Sequence, residues 1–312
     1  MTLAVKGLRK TYGSIVAINN LSFSIGENSI HGLVGPNGSG KTTTFKSILG
    51  LTIPDSGEIL LDGESLLGKK GYRLRGRIGF SPETIALPSW LTVEDFLYLT
   101  AKLDGLSKRG SEQLAEKAIE EFGLEELGNT SISKLSKGQK KRVLIAQALI
   151  QDKQVYLLDE PMTGLDPEWV IRIREILREK ARQGSSIIVS SHLLRELETL
   201  IDSVTIIKYG VVLFTGKIGD LASAVGMIGI KVSIEVDDPK RGLNILEKFG
   251  LENIRIDDGK IEVSVRSKDK INSIIENLVE GGVRVYQVST SEAGLEDAYV
   301  KLLRRSRLLG KP

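Results

Sequence analysis

The sequence predicts an α/β fold with a mostly parallel sheet, an antiparallel β subdomain and an α-helical insert, followed by a small α+β domain. Three observations carry that prediction. Apolar runs of strand length alternate with amphipathic stretches of helix length through the first two thirds of the chain, the pattern of strands covered on both faces. One such run, Ile30 to Val34, leads straight into Gly35-Pro36-Asn37-Gly38-Ser39-Gly40-Lys41-Thr42, which matches G-x-x-x-x-G-K-[ST] without substitution. From Gly229 onward short alternating strands and two helices follow in the order β-α-β-β-α-β, the ferredoxin-like arrangement.

Strand, glycine-rich turn and helix stand in the order that a phosphate-binding loop requires. Gly35, Gly38 and Gly40 are expected to let the backbone take conformations closed to other residues, so that successive amides turn inward around an anion. The helix from Lys41 to Leu49 adds the positive end of its dipole. Lys41 is placed to reach the β- and γ-phosphates, and the Thr42 hydroxyl to ligate Mg²⁺, which keeps most of its coordination to phosphate and water. Pro36, Asn37, Ser39 and Thr43 complete the candidate loop set.

The 312 residues suggest about two domains with a sizeable core. A net charge of +3 is too small to argue for nucleic acid, and the basic Arg304-Arg305-Ser306-Arg307 tail reads as a solvated terminus, with a membrane-surface role as the weaker reading. With no cysteine, disulfides and thiolate metal sites are excluded. No signal peptide is visible at Met1 to Lys10, no covalent anchor is expected, and no apolar run approaches the ~18 residues that cross a bilayer. A role at a membrane therefore needs a partner.

In chain order, Leu3-Ala4-Val5, Ile15-Val16-Ala17 and Leu21 to Ile25 read as short antiparallel strands ahead of the loop strand. Tyr12 lies in the first turn, where its ring can stack on a purine or simply face solvent. Pro54 to Gly57 reads as a turn, Glu58 to Leu61 as a strand, and Arg77 to Phe80 as another that ends at Ser81-Pro82-Glu83. A helical insert, about 84–137, follows: Thr92 and Asp95 form a capping box, Phe96, Leu99 and Leu103 share one face, and Leu114, Ala118 and Ile119 point inward from a helix at about Glu112 to Phe122. Leu135-Ser136-Lys137-Gly138-Gln139 opens the next helix. Val155 to Leu158 is a buried strand that ends on Asp159-Glu160; Asp166-Pro167 starts a helix that Gly184 stops, and Ser186 to Ser190 delivers Ser191 and His192. Residues 217–228 read as a linker between domains at 1–216 and 229–312, the second closing on a helix from Leu295 to Leu303. His31 reads as structural.

An aspartate at the end of an apolar strand is costly unless a cation or hydrogen bonds receive it, so Asp159 reads as the Mg²⁺ holder. Glu160, facing the other way, is placed to polarise a water for attack on the γ-phosphate. Ser136 and Gly138 at a helix start make a second anion site. Two phosphate-grasping loops serve one nucleotide either by folding the insert back over the site or by a head-to-tail dimer.

Taken together these segments resemble the nucleotide-binding subunit of an ATP-binding cassette (ABC) transporter. The order matches over Leu3 to about Gly216: an aromatic A-loop residue (Tyr12), Walker A (Gly35 to Thr42), Q-loop (Ser81-Pro82-Glu83), signature (Leu135 to Gln139), Walker B (Tyr156 to Glu160), D-loop (Gly164-Leu165-Asp166) and switch histidine (His192). The resemblance implies the P-loop NTPase fold of ABC ATPases. It also implies ATP sandwiched between Walker A of one protomer and Ser136, Gly138 and Gln139 of a second ATPase protomer, with Glu160 as general base, His192 on the γ-phosphate, and Thr42, Asp159 and the Q-loop residue Glu83 at Mg²⁺. Two positions depart from the family pattern. Glu83 stands where glutamine is usual and, when ionised, can accept hydrogen bonds but not donate them, and Lys137 interrupts L-S-G-G-Q with a positive charge beside an anionic ligand. The expectation is an ATPase at the cytoplasmic face of the membrane that drives a separately encoded permease in export, with no nucleic-acid partner. The alternative is a soluble ABC ATPase acting on nucleic acid or ribosomes.

Overall fold

The computed structural model describes residues 2–69, 71–84, 87–225, 230–249, 251, 254–265, 269–292 and 295–305. They form two compact units whose boundary in sequence falls between Ile218 and Gly219. The first unit runs β1 (Leu3–Tyr12), β2 (Ile15–Ile25), β3 (Ile30–Val34), α1 (Lys41–Ile48), β4 (Ser56–Leu61), β5 (Glu64–Ser65), α2 (Gly71–Arg75) and β6 (Ile78–Ser81). It continues with α3 (Val93–Leu103), α4 (Lys108–Glu121), α5 (Lys137–Leu149), β7 (Val155–Leu158), α6 (Pro167–Arg182), β8 (Ser186–Ser191), β9 (Ser203–Lys208) and β10 (Val211–Lys217).

One sheet has the order β10-β9-β3-β8-β7-β6, parallel except for β10 at its edge; the other is antiparallel, in the order β2-β1-β4-β5. A single core joins them. Leu3, Phe23 and Ile59 from the antiparallel sheet, Phe45 and Ile48 from α1, and Leu33, Leu157 and Ile188 from the parallel sheet belong to one buried cluster. The helix that follows the glycine loop is thus anchored by both sheets, and Phe45 meets Phe80 edge to face at 6.4 Å between ring centroids.

The antiparallel sheet holds two long strands where alternation suggested short pieces. Register shifts between Val5 and Leu8 and again up to Thr11 break the apolar-polar alternation without ending the ladder. The insert also differs from expectation. Val93, Leu97 and Ala101 are the buried residues of α3, while Leu99 and Leu103 are 44% and 80% exposed. Two rows of the helix satisfy the same three-to-four spacing, and the row with the small Ala101 faces inward. In α4, which starts at Lys108 behind the Ser107 cap, Ser111, Ala115 and Ala118 are buried and Leu114 and Ile119 only half-buried.

In the range read as a linker, β10 extends to Lys217 and a 3-10 turn at Ile218–Asp220 leads into the short α7 (Leu221–Ala224). The second unit continues with β11 (Ile230–Val236), α8 (Pro239–Lys248), β12 (Arg255–Asp257), β13 (Lys260–Val265), α9 (Asp269–Glu280), β14 (Val285–Glu292) and α10 (Leu295–Arg305). Its antiparallel sheet has the order β12-β13-β11-β14. Val232, Ile234, Ile261 and Val263 alternate onto one face and pack with Leu246 of α8 and Ile274 and Leu278 of α9. Residues 226–228, Gly229, the Gly250 stop, and Ser306 and Arg307 of the basic tail lie outside the described residues. No described helix is long and apolar enough to cross a membrane.

Candidate active site

Parallel pairing brings four strand ends to one edge of the sheet. Val34 pairs with Ser191, Leu158 with Val189, and Ser81 with Leu158, so the segments that begin at Gly35, Asp159, Pro82 and His192 emerge side by side. Backbone bonds lock this register: Gly35 N donates to Ser191 O at 3.1 Å and Asp159 N to Ser81 O at 2.8 Å. A ligand outside the carboxyl ends of the strands meets all four.

The glycines of the loop do different jobs. Gly38 and Gly40 have φ of 77° and 109°, the left-handed region that favours glycine. Gly35 is needed for close approach instead, because a β-carbon there would lie 2.1 Å from the Ile207 carbonyl oxygen. No side chain caps the N-terminus of α1. Its amides and the dipole are left to a ligand. The Lys41 ammonium, 5% exposed, donates to Gly35 O at 2.7 Å and to Pro36 O at 3.4 Å.

Asp159 accepts from the Thr42 hydroxyl at 2.8 Å and from Ser190 Oγ at 2.5 Å, and it is 1% exposed. Glu160, one residue on, turns the other way: Oε1 lies 3.2 Å from Lys41 Nζ, and Oε2 accepts from His192 Nδ1 at 2.9 Å. That bond puts the proton of His192 on Nδ1. Glu160 is 4% exposed and has a φ of 48°.

ATP and Mg²⁺ fit this donor set. Ser39 Oγ in the loop is buried without a hydrogen-bond partner, a cost that a polar ligand removes. Among the described residues no group of three or more acidic or histidine side chains forms a metal cage, and one hydroxyl with one carboxylate suits a cation that takes its other ligands from phosphate and water.

Other expected residues stand apart from this cluster. Tyr12 is 47% exposed, its hydroxyl 3.3 Å from Thr52 Oγ1 and the Lys10 ammonium 5.3 Å from its ring centroid. Glu83 is exposed, with its backbone carbonyl accepting from Lys141 Nζ at 3.0 Å; no described contact joins its carboxylate to Thr42 or Asp159. Ser136 caps α5 in a reciprocal box, its Oγ accepting from Gln139 N while Gln139 Oε1 accepts from Ser136 N at 2.8 Å. A β-carbon at Gly138 would lie 3.1 Å from Gly164 O. No described contact links this turn to the glycine loop of the same chain.

Two residues of the site lay outside the motif reading. Ser190 joins Asp159 to the Glu160 amide, which donates to its Oγ at 2.9 Å. Lys141 sits on the buried face of α5 with Leu144, Ile145 and Ala148 and donates to Pro82, Glu83 and Asp159 carbonyls. Burial pushes its ammonium down to about 8 against the opposing pull of Asp159, Glu83 and Glu160. The signal in both cases was a polar residue in an apolar periodic position.

Known proteins resemble the chain in sequence and in fold. The family model described as ABC transporter matches residues 18–163. The chain is 32% identical over 301 residues to the bacitracin transport ATP-binding protein BcrA of Bacillus licheniformis, covering 95% of each chain. It is 37% identical over 215 residues to the Nod factor export ATP-binding protein I of Ralstonia nicotianae, covering 69% of this chain and 67% of that one. Among solved structures, an ATP-binding subunit of an ABC transporter superposes with a TM-score of 0.67 at 33% identity, over 73% of this chain and 94% of that chain. A dimeric ATP-binding cassette in a post-hydrolysis state with ADP and Pi gives 0.64 at 27% identity, over 69% and 98%. The chain is an ATPase that uses ATP with Mg²⁺ and belongs to the ABC transporter family, among its ATP-binding proteins.

Proposed function

We propose that the chain is the ATP-hydrolysing subunit of an export system, working as a dimer of cassettes at the cytoplasmic face of a membrane to drive a separately encoded permease. The observation that carries the catalytic part is the contact of Glu160 with both Lys41 and His192, beside the Thr42-Asp159 pair. Bound Mg²⁺ neutralises phosphate charge. Everything else falls to the chain. Lys41 exchanges Glu160 and two loop carbonyls for phosphate oxygens, the loop amides and α1 hold the anion, and Thr42 with Asp159 receives the cation. His192 turns to the γ-phosphate. Glu160, released from both partners, takes the proton of the attacking water.

The names of relatives support the transport half, and they favour it over a ribosomal or nucleic-acid role. Besides the two above, the linearmycin resistance ATP-binding protein LnrL of Bacillus subtilis is 29% identical over 308 residues, covering 97% of this chain. This match, like that to the bacitracin transport protein, extends through the second unit. Purification of the tagged chain from detergent-solubilised membranes tests the assignment. An integral membrane protein should co-purify in stoichiometric amount and raise the ATPase rate; recovery with ribosomes or nucleic acid would refute it.

A further inference from the structure

We propose that Lys141 is a positioning residue for Glu160: from the buried face of α5 its ammonium fixes the Asp159-Glu160 peptide and the Pro82-Glu83 segment in the arrangement that hydrolysis needs. This rests on the reading of Glu160 as the base.

The described partners of Lys141 are all main-chain oxygens, Pro82 O at 3.5 Å, Glu83 O at 3.0 Å and Asp159 O at 3.3 Å. An ammonium 5% exposed is expensive to bury, and the neighbouring positions on the same helix face are filled by Leu144, Ile145 and Ala148, which cost nothing of the kind. Packing alone would be served by an apolar residue. What the charge supplies is three hydrogen bonds to two segments that both end at the nucleotide edge of the sheet.

The Asp159-Glu160 peptide is held from both sides. Lys141 takes its carbonyl, and Ser190 Oγ accepts from its amide at 2.9 Å while donating to Asp159. Glu160 meanwhile has a φ of 48°, a conformation that a residue with a β-carbon adopts only when its surroundings impose it. That turn is what sends the Glu160 carboxylate towards Lys41 and His192 while Asp159 faces Thr42. Lys41 and His192 also hold the carboxylate. Once phosphate oxygens take those two partners, the main-chain clamp alone keeps the base in place.

The test uses the full chain, with equilibrium ATP binding and steady-state and single-turnover hydrolysis. Lys141→Met should lower kcat at least ~10-fold while the KM and Kd for ATP stay within about two-fold, because nucleotide binding does not pass through the clamp. Lys141→Gln, with a neutral donor of similar reach, should fall between Met and wild type, and it decides the matter by the same readouts if Lys141→Met does not fold. In a Glu160→Gln background Lys141→Met should leave the residual hydrolysis unchanged. Unchanged kcat in Lys141→Met and Lys141→Gln would overturn the proposal, as would KM rising in step with the loss. A further ~10-fold fall in the Glu160→Gln background would also overturn it, since the effect would then not run through the base. Normal turnover by Glu160→Gln alone overturns the base assignment and the proposal with it, and is recognised without any change at residue 141.

Discussion

Lys41 and Glu160 touch, yet in the proposed mechanism they serve separate steps, so their losses should separate. Lys41→Ala should abolish tight ATP binding, whereas Glu160→Gln should keep binding and lose turnover, as equilibrium titration and steady-state hydrolysis would show. No described contact joins Tyr12 to the loop, and its ring is half-exposed. If it stacks on adenine, Tyr12→Ala should weaken ATP binding by about 1–3 kcal/mol, seen as a raised KM with kcat nearly unchanged. His31 answers a different measurement. Its nitrogens bond Ser203 at 2.8 Å and Thr205 at 3.0 Å, its ring stacks on Phe23, and burial pushes it from its ordinary 6.5 down to about 4. The unfolded chain therefore binds the proton first as pH falls, and stability held above pH 6.5 is lost between about 6.5 and 4, by roughly 3 kcal/mol. Denaturant midpoints across that window should flatten in His31→Gln. Lys41, Thr42, Asp159, Glu160 and His192, which the structure brings together, were legible one by one because each sits in a motif of fixed local spacing. Ser190 and Lys141 were not, because their role depends on which strand end or loop lies beside them, and no local spacing records that.

At the scale of elements, spacing located the helices and caps but left the choice of face open in the insert. Asp166 caps α6 and Ser136 caps α5 as their sequence implies, since a cap is decided by three or four consecutive residues. The buried face of α3 is decided by what packs on it, and an apolar row at Phe96, Leu99 and Leu103 competes with the row at Val93, Leu97 and Ala101. The structure buries the second. Leu97→Ala should accordingly cost about 2–5 kcal/mol, and Leu103→Lys no more than about 0.5 kcal/mol, in urea unfolding of the full chain. The reverse order would return the first row to the core. Bulges hid the length of β1 and β2 for a related reason, because alternation tracks the side chains while the ladder tracks the backbone.

At the scale of the whole molecule, the sequence holds a complete phosphate loop and a second candidate anion site at Ser136 and Gly138, and among the described residues no contact joins the two. Ser136 and Gly138 open α5 with a hydroxyl and a helix start, and neither has a described contact with Lys41 or Thr42. A second protomer set head to tail would place them on the γ-phosphate, and ATP would then form part of the contact surface. A ligand that binds only the associated form stabilises it by mass action, so Glu160→Gln with ATP should shift towards dimer. ADP lacks the γ-phosphate and should leave the chain largely monomeric. In that arrangement Ser136→Arg would put bulk at the interface and none in its own phosphate loop. It should block both association and turnover while ATP binding to the monomer stays within about two-fold. Light scattering with ATP and with ADP, beside nucleotide titration of the same samples, reads all of these. A Ser136→Arg protein that still dimerises and hydrolyses normally would mean that the α5 start does not complete the site, and the insert of the same chain would have to close over the nucleotide instead.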